Sequence, residues 1–218
     1  MTKRLVGLAA LLLSAWAATP AAAAGDFDAE LAAIQSQWAE INYATPDDKA
    51  ALAGFESLAE RAHAFSAANP DRAEPLVWEG IVLSTWAGRK GGLGALKLAK
   101  QARTRLEAAE ALDPQALQGS VYTSLGALYY KVPGWPLGFG NEKRAREYLE
   151  KALAVNPDGI DPNYFYGDFL LEHHDYATAR KYLEKALAAP DRDGRASADA
   201  GRRAEIRSRL EQLEDASG

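Results

Sequence analysis

Ala145-Arg-Glu-Tyr-Leu-Glu-Lys-Ala-Leu-Ala154 and Ala179-Arg-Lys-Tyr-Leu-Glu-Lys-Ala-Leu-Ala188 differ at one position in ten and lie 34 residues apart. Within the first copy, Ala145, Leu149 and Ala152 fall at i, i+4 and i+7 and make one apolar stripe of a helix. Asn156-Pro157 and Ala189-Pro190 end the two helices, because the residue before proline is driven out of the α region. A helical segment that recurs at this interval predicts stacked helix pairs, each too small to bury its apolar face alone.

Outward from these copies the pattern becomes fuller. One unit carries Tyr122, Leu125-Gly126 and Tyr129, then Ala145, Leu149, Ala152 and Pro157. The next carries Tyr166-Gly167 and Leu170, then Ala179, Leu183 and Ala186, with Pro190 one residue early. An earlier unit has Gly80 and Leu83, then Ala102, Leu106, Ala109 and Pro114, but Glu79 stands where a leucine is usual. These positions resemble the tetratricopeptide repeat (TPR) family, W-x2-L-G-x2-Y followed by A-x3-F-x2-A-x4-P. The resemblance implies an all-α, TPR-like solenoid of antiparallel helix pairs over 71–190, with a degenerate pair in 25–70. A linker and a C-terminal capping helix occupy 191–218; Ile206, Leu210 and Leu213 share one face of that helix.

Composition fits this reading. Hydrophobic residues make up 48% and charged residues 25%, an ordinary folded share. The absence of cysteine excludes disulfides, thiolate metal sites, a cysteine nucleophile and a lipid-bearing N-terminal cysteine. A net charge of −5 disfavours nucleic acid as a partner. Met1-Thr-Lys-Arg4, the apolar run from Leu5 to Ala18 and Ala21–Ala24 form the three parts of a secretory signal peptide, cut after Ala24. Removing Lys3 and Arg4 leaves 23 basic against 30 acidic residues, a mature charge of −7. The expected location is periplasmic or secreted.

Two departures from the repeat carry functional weight. Leu170 to Ala179 is the standard nine residues; Tyr129 to Ala145 is 16 and Leu83 to Ala102 is 19. The resulting insertions, expected as loops near 86–94 and 131–142, fall between the helices of their units and emerge on one edge. The first holds Trp86, Arg89, Lys90 and four glycines; the second holds Trp135, Phe139, two prolines and three glycines. Two roles remain open for the aromatics: a lip that presents apolar surface to a partner, or a cover over their own helix ends. Gly88-Arg-Lys-Gly-Gly-Leu-Gly94 has the amides and cations for a phosphate but not the spacing of a phosphate loop.

The family resemblance also places a concave groove on the first helix of each pair. It carries over to Glu74, Val77, Ile81 and Ser84, to Ser120, Thr123, Ala127 and Tyr130, and to Asp161, Tyr164, Asp168 and Leu171. That lining lacks a basic clamp and turns acidic at its third unit. Asp161-Pro162 also suits a helix N-cap followed by proline at the first turn. His173-His174 falls at a turn between helices, and no nucleophile elbow or H-E-x-x-H is present, so neither metal, cofactor nor enzyme chemistry is expected. The expected function is an exported, non-enzymatic scaffold that binds a protein or peptide through groove and loops. The alternative is a small-molecule-binding accessory component of a periplasmic transport system, which resembles exported TPRs with a glycine-rich insertion before a K-x-A helix, here Lys143-Arg-Ala145. A chamber closed beneath the insertions favours the small molecule; an open groove favours the peptide.

Overall fold

A computed structural model describes residues 20–217. The elements are α1 (Pro20–Ala39) running into a π-helical turn (Glu40–Ala44), α2 (Asp48–Ala68), α3 (Ala73–Lys90), α4 (Gly92–Leu112), α5 (Ala116–Lys131), α6 (Glu142–Val155), α7 (Ile160–Glu172), α8 (Tyr176–Leu187) and α9 (Ala196–Ser217). The signal peptide expected over 1–24 lies outside the described residues up to residue 19, and α1 runs across the expected cut. Among the described residues no helix is long and apolar enough to cross a membrane.

Three antiparallel pairs, α3/α4, α5/α6 and α7/α8, form the middle of the solenoid. The same contact recurs in each. Gly80 faces Leu106, Gly126 faces Leu149 and Gly167 faces Leu183; a Cβ on these glycines would lie 2.6, 2.7 and 2.8 Å from the leucine Cγ. All three leucines are fully buried, each contributing about 1.5–3 kcal/mol of burial. Side-chain caps set several starts: Asp47 accepts from Ala50 N at 2.7 Å, Asn141 from Arg144 N at 2.9 Å and Asp175 from Thr178 N at 3.3 Å. Glu79, the misfit at the leucine position, is buried and held by Ser66 Oγ, His63 Nδ1 at 3.0 Å and Arg105 Nε at 2.9 Å. A cross-helix polar cluster replaces the apolar contact there.

Three expectations need correction. The insertion near 86–94 is not a loop: it lengthens α3 and α4, and only Gly91 (φ 61°) interrupts the helices. Arg89 and Lys90 close α3 favourably as last-turn cations. The start of α7 is Ile160 with Gly159 at the cap, so Asp161 lies inside the first turn and caps nothing. The third correction concerns the groove. Helix α9 folds back along α7 and α8 and meets α1 and the π-turn, so the two ends of the solenoid touch. Gly201 permits this, since a Cβ there would collide with the Tyr43 ring. The concave face is therefore walled at both ends.

Candidate functional site

Behind this closure lies a half-enclosed chamber of about 1360 Å³. Its walls come from α1, α3, the start of α4, α5 and α7, with Val132, Pro133 and Leu137 of the second insertion at its edge and the 190–195 segment and α9 on one side. Arg192 and Arg202 build that side. Asp161 accepts from Arg192 Nη1 at 2.6 Å and from Arg202 Nε at 2.8 Å. Arg192 also binds Asp199 through Nε at 2.7 Å and its backbone N at 2.8 Å, while Arg202 pairs with Glu205 and lies over the Tyr164 ring at 4.4 Å. Burial pushes the Asp161 carboxyl up, but the Arg202 and Arg192 guanidiniums outweigh it and hold the pKa at about 2. Burial raises the Tyr164 phenol to about 12 against the opposing pull of Arg202.

Aromatic rings form the adjoining wall. Trp38 meets Tyr43 and Trp78 edge to face at 5.6 and 5.9 Å between centroids, and donates Nε1–H to Thr85 Oγ1 at 2.9 Å. Arg195 lies over the Trp78 ring of this row, its guanidinium carbon 4.9 Å from the centroid.

Of the ten candidate residues named from sequence, Thr123 and Asp161 line the chamber. Asp161 is committed to the two arginines, Tyr164 and Asp168 lie in the third-unit part of the groove that α9 covers, and Tyr130 of the second unit bonds Asp168. Asp168 is buried, 2.7 Å from both Lys131 Nζ and Tyr130 OH and 2.6 Å from Arg209 Nε. The mildly acidic groove end is thus neutralised by cations that sequence reasoning did not place there. Arg89 bonds Asp48 at 3.0 Å and the Asn42 carbonyl at 2.8 Å, tying α3 to α2 and the π-turn. Lys90 lies 5.2 Å from the half-buried Trp86 ring.

The 131–142 loop divides its aromatics between both open roles. Phe139 packs edge to face on Tyr129 at 5.8 Å and under Arg103 at 4.4 Å, so it covers. Trp135 is 90% exposed and Leu137 74%. Gly140 N to the Pro133 carbonyl (2.9 Å) and Asn141 N to the Tyr129 carbonyl (2.8 Å) fasten the loop beneath this tip. Trp135→Ala is accordingly expected to shift the melting curve negligibly, as for surface sites. Phe139→Ala is expected to lower stability by about 2–3 kcal/mol; thermal melts of both variants test this, and equal melts would refute it.

His173 bonds the Phe169 carbonyl and His174 the Tyr176 hydroxyl, at 2.7 and 2.8 Å. Among the described residues no three His, Asp or Glu side chains converge as for a metal ion.

The fold defines an all-α helical-repeat solenoid. A family model described as "Tetratricopeptide repeat" matches residues 137–200. A thermophilic TPR protein of Thermus thermophilus is similar in structure, with a TM-score of 0.56 at 18% identity, covering 87% of this chain and 93% of that one. PilF of Pseudomonas aeruginosa aligns with a TM-score of 0.36 at 17% identity, covering 86% and 93%. No curated protein compared matches the sequence. Over residues 137–200 the chain is thus similar to the tetratricopeptide repeat, and its fold is an all-α, TPR-like solenoid.

Proposed function

We propose that this chain is an exported, non-enzymatic scaffold that holds a small molecule in its central chamber, as an accessory component of a transport system. The observation that carries the reading is the meeting of α1 and α9, which converts a groove into a chamber of about 1360 Å³. Small-molecule sites usually span roughly 300–1,000 Å³, so a ligand fits with water to spare. An extended peptide would need the concave face that α9 and α1 cover. A protein partner has its own place: the exposed Trp135 of the fastened loop is an apolar tip that does not line the chamber, while its neighbour Leu137 sits on the chamber's edge.

The test uses N-phenylnaphthylamine, a neutral apolar probe that fluoresces when enclosed. Ala127, on the chamber wall of α5, is the position to fill. The wild-type chain is expected to bind the probe, and Ala127→Trp to weaken binding roughly tenfold or more by occupying the space. Unchanged binding in a folded Ala127→Trp variant would refute the chamber as the site. Mass spectrometry of exported protein is expected to give an N-terminus near Gly25; an intact leader would refute the export reading.

A further inference from the structure

We infer that the chamber's ligand has an apolar body and one anionic head, a carboxylate or a phosphate, and that Arg195 binds the head. This rests on the chamber reading above and adds its chemistry. Among the described residues four cations line the chamber: Lys131, Arg192, Arg195 and Arg202. Lys131 is paired with Asp168 and Glu172, Arg192 with Asp161 and Asp199, and Arg202 with Asp161 and Glu205. Arg195 forms no ion pair and no side-chain hydrogen bond among the described residues, although it is half-buried. Its one side-chain contact of note is the face of Trp78. A guanidinium whose N–H groups meet no protein acceptor keeps them free as the fork that carboxylate and phosphate oxygens fit.

The remaining charges support the assignment. Asp158 and Asp191, also on the chamber lining, are held by Lys185 at 3.0 Å and Arg203 at 2.7 Å. Asp161 already bonds two guanidiniums, and Asp193 is exposed at the rim. No chamber carboxylate among the described residues therefore turns to Arg195. Burial, with Arg192 close by, pulls the Arg195 pKa below the usual arginine value against the opposing pull of Asp161 and Asp199, and an incoming anion relieves what remains of that cost. Ile81, Leu96 and Phe165 line the same space and give the ligand's body an apolar surface. Thr123 and Ser124 add hydroxyls on α5.

Calorimetry with the full chain and three probes, decanoate, decyl phosphate and decanol, tests the inference. At least one anion is expected to bind roughly tenfold or more tightly than decanol, the increment of a charge-assisted hydrogen bond in a partly buried site. The better anion identifies the head as carboxylate or phosphate. Arg195→Gln is expected to erase the preference with a melting curve lowered only slightly, because the side chain loses its Trp78 contact but no ion pair. Arg207→Gln, on the exposed face of α9, is expected to keep the preference. Equal binding of the three probes, a preference that survives in Arg195→Gln, or no binding at millimolar concentration overturns the assignment. Where N-phenylnaphthylamine still binds, the chamber stands and the Arg195 assignment alone falls; where it fails too, both fall.

Discussion

Asp161→Asn is expected to destabilise the chain by about 3 kcal/mol at neutral pH, the usual scale for breaking a buried ion pair from one side. Both carboxylate oxygens are engaged, by Arg192 at 2.6 Å and by Arg202 at 2.8 Å. The Arg202 side chain is only 11% exposed, so the asparagine leaves a guanidinium in a poorly solvated place without its counter-charge. The acid limb gives an independent reading. The folded carboxyl has a pKa of about 2 against 3.8 for a free aspartate. It binds its proton less readily folded than unfolded, so its stabilisation is complete above pH ~4 and fades as pH falls from ~4 towards ~2. A shift of nearly two units corresponds to about 2.5 kcal/mol. Urea midpoints measured along that pH range should fall steeply in the wild type and more gently in Asp161→Asn. Superimposable acid limbs would show that the pair does not hold α9 in place.

This pair also shows why part of the site escaped sequence reasoning. The helix pairs are legible because their determinants are local: a small residue on one helix, a leucine at a fixed offset on the next, and a proline after it. Gly126 and Leu149 lie 23 residues apart, against 16 for Gly167 and Leu183, yet they make the same contact, so the insertion is absorbed outside the pair. The closure depends on where α9 turns after Pro190, and no period encodes that. Arg192, Arg195 and Arg202 read as solubilising charges of a linker and cap. The partner that Arg192 and Arg202 share, Asp161 on α7, lies 31 and 41 residues away, and the ring under Arg195, Trp78, lies on α3. One signal was present in the sequence. Asp161 and Asp168 fall at groove positions whose set holds no cation, so compensating charge had to come from outside that set: Lys131 and Arg209 for Asp168, Arg192 and Arg202 for Asp161.

The first insertion escaped for another reason. Gly88-Arg-Lys-Gly-Gly-Leu-Gly94 has the composition of a loop, since glycine costs a helix about 1 kcal/mol relative to alanine. Here flanking packing overrides it: Val82, Leu83 and Ala87 before it and Leu98, Ala99 and Ala102 after it are all buried. Tertiary contact offsets the poor propensity, and the glycines remain as weak points near the chamber wall at Gly88 and Gly92.

Gly126→Leu is expected to have the largest effect of any single change in the repeats, a loss of about 3 kcal/mol or more, at or above the upper end of ordinary overpacking. A Cβ at Gly126 would stand 2.7 Å from Leu149 Cγ, 2.8 Å from its Cδ2 and 3.2 Å from its backbone nitrogen. The obstacle is the base of a fully buried side chain and the helix backbone behind it, so rotation of Leu149 relieves little. The α5 and α6 backbones must part, and their separation opens the chamber wall that α5 supplies. Gly88→Ala provides the contrast: nothing lies within 4 Å of its Cβ position, and the substitution is expected to leave stability equal or raise it by up to about 1 kcal/mol through helix propensity. A double-mutant cycle separates steric contact from any general intolerance at the site. If Gly126 is the approach point for Leu149, Gly126→Ala should cost far less when Leu149 is already alanine, with a coupling of about 1 kcal/mol or more. Additive losses in chemical denaturation would mean that the two residues do not meet, and the register of every pair in the solenoid would then need to be drawn again.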